Sequence, residues 1–144
     1  VTTYLEVTPE AGGYFVQRAS PGAIVMLNLL RFREVADYSN DPDFGSAAAI
    51  SGSEAYDLYI AHTLPLLRRS GGDILFSADG GSFLIGPQGE RWDRVMLVRQ
   101  ASMDAFLNFA NDAAYLAGLK HRTAALEDSR LLPLTERLKP SQAS

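Results

Sequence analysis

His62 stands three residues after Tyr59, a spacing that puts both side chains on one face of a helix, where they can act together on a phenolic or carbonyl substrate. A histidine near its ordinary pKa is the one obvious general base of this chain at neutral pH. A helix-surface histidine with no chemical duty accounts for the same residue. Asn28 interrupts an otherwise apolar run, Ile24 to Phe32. A polar group there either lines a cavity or satisfies its neighbours. Arg31, in the same run, points to the opposite face from Asn28, toward an edge or dimer contact.

Arg94 shares strand parity with Trp92 and Met96, which sets a planar cation beside an aromatic wall. That pairing suits a small anionic aromatic compound and equally well seals the rim of a barrel. Arg122 is placed to hold a substrate carboxylate or to pair with Glu127 or Asp128, while His121 beside it is explained by the negative end of a helix dipole. The expected site therefore has His62 and Tyr59 as catalytic groups, with Asn28, Arg94, Arg122 and Trp92 binding the substrate. It calls for no cofactor. It calls for no metal either, since the two histidines and Asp41-x-Asp43 lack the ligand spacing of a zinc or EF-hand site. No P-loop, G-x-G-x-x-G or G-x-S-x-G motif is present in the sequence, so nucleotide binding and serine hydrolase chemistry are unsupported.

Composition narrows the setting of these groups. The 144 residues are 47% hydrophobic, enough for one domain with its own core. With no cysteine, disulfides, thiolate catalysis and cysteine-held clusters are excluded, and a cytoplasmic location is expected. The formal charge of -4 disfavours nucleic acid as a partner. No apolar run is long enough to span a bilayer, and the start of the chain lacks the basic-then-apolar order of a signal peptide, so no membrane association is expected. Lys120 and Lys139 are the only lysines among the cations. Arginine pins carboxylates better in half-buried places, although codon usage explains the bias as simply.

The elements that must position the site follow from pattern. Residues 1–22 end in Ala19-Ser20-Pro21-Gly22 and read as an N-terminal arm. Residues 23–138 form the domain, and residues 139–144 a flexible tail. Ala23 to Arg33 is apolar on both parities, as in a strand buried on both faces. Glu34 to Ile50 is a long loop, the kind that often carries function. Ser51-Gly52-Ser53-Glu54 is a capping box. The helix it starts ends at Gly71-Gly72, with a kink or break near Ala61 because of Pro65. Asp73 to Ala78 is a second strand, Asp79-Gly80-Gly81 a turn, Ser82 to Ile85 a short extension, and Arg91 to Arg99 a third strand. A helix capped by Ser102, another started by Asn111 or Asp112, and a strand from Arg130 to Leu134 complete the chain.

The order strand, helix, strand, strand, helix, strand is an α+β, ferredoxin-like split βαβ arrangement with an antiparallel sheet. Its helices cover one sheet face only. The apolar second face requires a partner, and another copy of the sheet gives a two-fold homodimer.

Met26-Leu27-Asn28-Leu29-Leu30-Arg31-Phe32, Tyr59 followed by Pro65 and Gly71-Gly72, Trp92-Asp93-Arg94-Val95, and Tyr115 with Arg122 together resemble the DUF1330 family of the dimeric α/β barrel superfamily. The likeness runs over roughly residues 23–135. It implies a ferredoxin-like protomer whose sheet packs on that of a partner. It implies no activity, because the superfamily also holds monooxygenases, isomerases and haem enzymes on the same fold. The chain departs from the pattern in its leading arm, its 34–50 loop, and Gln100-Ala101, where relatives carry a proline.

Two functions fit. One is a dimer binding a small aromatic or acidic metabolite between sheet and helices, with cofactor-free acid/base or oxygenase-type catalysis. The other is a non-enzymatic assembly or sensing module without an open pocket.

Overall fold

The computed structural model describes residues 2–18, 21–41, 44 and 49–137. Within these it forms α1 (Pro9–Gln17), β1 (Ile24–Phe32), α2 (Gly52–Arg69), β2 (Asp73–Ser82), β3 (Arg91–Gln100), α3 (Met103–Ala110), α4 (Ala113–Leu116), α5 (Leu119–Ala125) and β4 (Leu126–Leu134). The strands lie in the order β2-β3-β1-β4, every neighbouring pair antiparallel. This is the ferredoxin-like split arrangement expected from the pattern of elements.

The capping box sets the start of α2. The Glu54 amide donates to Ser51 Oγ and the Ser51 amide to Glu54 Oε1, each at 3.0 Å, which satisfies two otherwise orphan donors. Those bonds hold the Glu54 carboxyl below its usual range. Ser51→Ala is expected to cost about 1 kcal/mol of stability, measured by urea denaturation. The break expected at Pro65 does not occur, and α2 runs unbroken through it. Both Pro65 and Ala61 lie on the exposed side, so water can take the carbonyl that the proline leaves unpaired.

Three further boundaries differ from the sequence reading. The Asp79-Gly80-Gly81 segment is not a turn but part of β2, and Ser82 is its last residue. Gly80 lies against the Trp92 carbonyl, a close approach across the ladder that a side chain would block. The second helical segment divides at Gly118, the N-cap of α5, and β4 starts at Leu126 rather than Arg130. In the 34–50 loop, residues 42, 43 and 45–48 lie outside the described residues, as does the 139–144 tail.

Register sorts the side chains into faces. Phe76 stands opposite Leu97, Leu97 opposite Leu27, and Leu27 opposite Leu132, an apolar row across all four strands. Ala78, Val95 and Leu29 extend it. No helix covers this face at its edges, where Phe76 is 54% and Leu132 50% exposed. The other face carries Leu30, Phe32 and Met96 against Ala55, Tyr56 and Tyr59 of α2 and Ala125 of α5.

The N-terminal arm is tied to the sheet end. The Tyr4 amide donates to Asp128 Oδ1 at 2.8 Å, and the Ser129 amide and hydroxyl donate to the Tyr4 carbonyl at 3.1 and 2.6 Å.

Candidate ligand-binding cleft

The N-terminal half of α2 stands over the β2–β3 hairpin and leaves a cleft of about 380 Å³ on the helix face of the sheet. Asp57 and Ile60 line it from α2, Ile74, Ser77, Ala78 and Asp79 from β2, and Arg94 and Met96 from β3. Register explains the floor: Ser77 pairs with Met96 and Asp79 with Arg94, so all four side chains share one face.

Arg94 is the cation of this cleft. Its Nη1 donates to Asp57 Oδ1 at 2.8 Å and its Nη2 to Ser53 Oγ at 3.3 Å. Its guanidinium carbon lies 5.0 Å from the Phe32 ring centroid and 5.8 Å from that of Tyr56, which fixes its plane on aromatic faces. The pair is lopsided. The Arg94 side chain is 17% exposed and that of Asp57 63%, so the cation is preorganised while the carboxylate can swing into water at little cost.

The other expected site residues fall elsewhere. Asn28 pairs with Met96, one strand in from the cleft floor, and its Nδ2 donates to the Met26 carbonyl at 3.2 Å. Trp92 is buried beneath Arg31 and Arg130, whose guanidinium carbons lie 5.4 and 5.0 Å from its ring. Arg94 instead faces Phe32 and Tyr56. The Trp92 indole N–H donates to Glu90 at 3.0 Å, and Arg130 also stacks on Tyr4. Trp92 thus belongs to the anchor of the N-terminal arm.

Tyr59 and His62 part company along α2. The Tyr59 and Tyr115 hydroxyls are 2.8 Å apart. Burial, reinforced by Tyr115 and Tyr56, drives the Tyr59 phenol well above its usual pKa, which disfavours it as a proton shuttle at neutral pH. His62 is exposed, and its Nε2 lies 2.6 Å from the Ala114 carbonyl oxygen. A carbonyl only accepts, so Nε2 carries a proton there. Both residues hold α4 against α2, and neither lines the cleft.

Arg122 pairs with neither Glu127 nor Asp128. Its Nη1 donates to the Leu5 carbonyl at 2.8 Å, while Asp128 holds Arg31 and Arg130 and Glu127 faces Arg31 and Arg91. Tyr56 feels the charge of both Arg122 and Arg94. Burial pushes its phenol up to about 12, with the charges of Arg122 and Arg94 pulling the other way.

Asp57, Ser53, Ser77 and Asp79 were missed by sequence reasoning. A signal for the first two existed: Ser53 and Asp57 are one helical turn apart, with Ile60 following on the same side. Ser77 and Asp79 alternate along an exposed strand and look like any solvated face. The Tyr38 hydroxyl and His121 Nδ1 are 2.8 Å apart, a pair that sequence reasoning did not bring together. Burial, with Lys120 and His62 nearby and Asp41 opposing, lowers the pKa of His121.

The family model described as "Domain of unknown function (DUF1330)" matches residues 44–133. The crystal structure of the RPA0582 protein of Rhodopseudomonas palustris, described as of unknown function, is 38% identical. It covers 96% of this chain and 100% of its own, with a TM-score of 0.83. The methylated RPA0582 protein is 36% identical, covers 97% of this chain and 98% of its own, and has a TM-score of 0.84. No curated protein matches the chain.

Proposed function

This chain belongs to the DUF1330 family, and from that premise we propose that it is a homodimeric binding module holding one small organic acid per protomer in the Arg94 cleft. The observation that carries the reading is the exchangeable pair at Arg94: a guanidinium fixed on two aromatic rings, answered by a carboxylate that is 63% exposed. A ligand carboxylate takes the place of Asp57 on Arg94. Charge-assisted bonds of this kind are roughly twice as strong as neutral ones. Ile60, Ile74 and Met96 receive an apolar body, and Ser77 and Asp79 receive a hydroxyl or ammonium group. Hydroxy and amino acids with a hydrocarbon body fit that set.

Binding without acid–base catalysis by His62 is favoured by two contacts, His62 on Ala114 and Tyr59 on Tyr115. Self-association rests on the apolar row Phe76–Leu97–Leu27–Leu132. Among the described residues no helix is long and apolar enough to cross a membrane.

A thermal-shift panel of hydroxy and amino carboxylates tests the cleft. The best ligand is expected to raise the Tm of the wild type by roughly 6–12 °C at about 100-fold its Kd. Asp57→Asn removes the internal competitor and should enlarge the shift at equal ligand concentration. Arg94→Gln should abolish it. An unchanged shift in Arg94→Gln refutes the assignment of Arg94.

A further inference from the structure

A second arginine on the same side of the sheet holds its charge against no carboxylate among the described residues. Arg122, in the last turn of α5, is half-buried. Among the described residues the only hydrogen bond of its side chain is to the Leu5 carbonyl, and no acidic side chain lies within ion-pair distance of it. Leu5 and Tyr115 pack on the core cluster that contains Tyr56 and Tyr59, and the charge of Arg122 acts on both of those phenols. Partial burial of an unanswered charge is costly and calls for an anion.

The hydrogen-bonding inventory around it contains a surplus of donors. Tyr59 and Tyr115 share one bond, and two hydroxyls bring two hydrogens, so one remains free to donate. Tyr56 is buried beside Tyr59, with ring centroids 5.1 Å apart, and its hydroxyl is a further donor. The guanidinium keeps further N–H groups beyond the one given to Leu5. Phe109 closes on Tyr115 with ring centroids 4.6 Å apart, so the surroundings are aromatic.

We propose that Arg122, Tyr56 and the Tyr59–Tyr115 pair form a carboxylate site beneath the N-terminal arm, in which the Leu5 carbonyl holds the place of a ligand oxygen. A carboxylate is an acceptor only and carries the charge that Arg122 lacks, so it displaces a neutral carbonyl. The aromatic walls select a small aromatic acid. The arm acts as a strap over the site, held by Tyr4 to Asp128 and Ser129. This site is separate from the Arg94 cleft and does not rest on it.

Benzoate, titrated calorimetrically into the full chain, is the probe. Wild type is expected to bind it, Arg122→Gln to bind at least about tenfold more weakly, and the near-isosteric Tyr56→Phe about three- to tenfold more weakly. Ser129→Ala removes one bond of the strap and should tighten binding about threefold or more. The same series is run in an Arg94→Gln background, which removes any benzoate held by the cleft. The proposal is overturned if wild type shows no binding at about 10 mM benzoate, or if Tyr56→Phe and Ser129→Ala both match wild type. Binding that depends on Arg94 and not on Arg122 overturns it equally, and would assign the acid to the cleft instead.

Discussion

A Leu97→Asp substitution is expected to turn the proposed homodimer into a folded monomer. Leu97 lies between Phe76 and Leu27 in the row that crosses the sheet, at the centre of the face that α2 and α5 leave uncovered. Two-fold packing of this face on itself brings both copies of the introduced carboxylate into one apolar interface. An unpaired charge left buried costs about 3–5 kcal/mol, and symmetry doubles the count. Dimer affinity should therefore fall by at least about three orders of magnitude. The helix-face core of Leu30, Tyr56, Met96 and Leu126 is not touched, so far-UV circular dichroism should keep its native shape. Sedimentation velocity at micromolar concentration decides the matter. A dimer that survives the substitution places the interface elsewhere.

Asp128→Ala is expected to remove about 3–5 kcal/mol of folding stability. This carboxylate is 1% exposed and accepts from the Tyr4 and Ser129 amides, from Arg31 at 3.2 Å and from Arg130 at 2.8 Å. Removing it strands Arg31, whose side chain is 14% exposed with Glu127 3.7 Å away as the remaining counter-charge. It also releases the arm at Tyr4. Burial works to raise the Asp128 carboxyl, but the Tyr4 amide, Arg130 and the Ser129 amide outweigh it and hold it below its ordinary 3.8. A depressed folded pKa means that the unfolded chain binds the proton more readily. The contribution of Asp128 is therefore complete above the unfolded value and disappears as pH falls through the folded one. Urea denaturation should show a wide gap between wild type and Asp128→Ala at neutral pH that narrows below about pH 4. A loss under about 1 kcal/mol at neutral pH would contradict this account of the anchor.

Local patterns read well from sequence where one residue type has one physical outlet. Ser51 and Glu54 can satisfy each other only at a helix start, and the two-parity apolar run Ile24 to Phe32 can be buried on both sides only in a sheet. The element order therefore emerged, and with it the uncovered face. What failed depended on neighbours distant in the chain. Gly80 and Gly81 look like a turn until the Trp92 backbone is seen passing beside Gly80. Pro65 looks like a break until it and Ala61 are found on the exposed side of α2.

The site was legible in part for the same reason. Arg94 was singled out as a cation in an apolar strand and lines the cleft, but its aromatic neighbours are Phe32 and Tyr56 and not Trp92, two residues away. Arg122 was matched to the nearest acids in sequence, whereas its partner is a carbonyl of the arm, 117 positions away. Tyr59 and His62 share a helix face by spacing, yet packing against α4 gives each a separate contact.

Native mass spectrometry of the freshly purified protein, wild type beside Arg94→Gln, tests the central claim most directly, because one spectrum reports subunit count and retained small molecules together. The account predicts a dimer carrying added small acid, with the mass held by the cleft, up to one acid per protomer, lost in Arg94→Gln while the dimer persists. A monomer, or an added mass retained undiminished by Arg94→Gln, would contradict it.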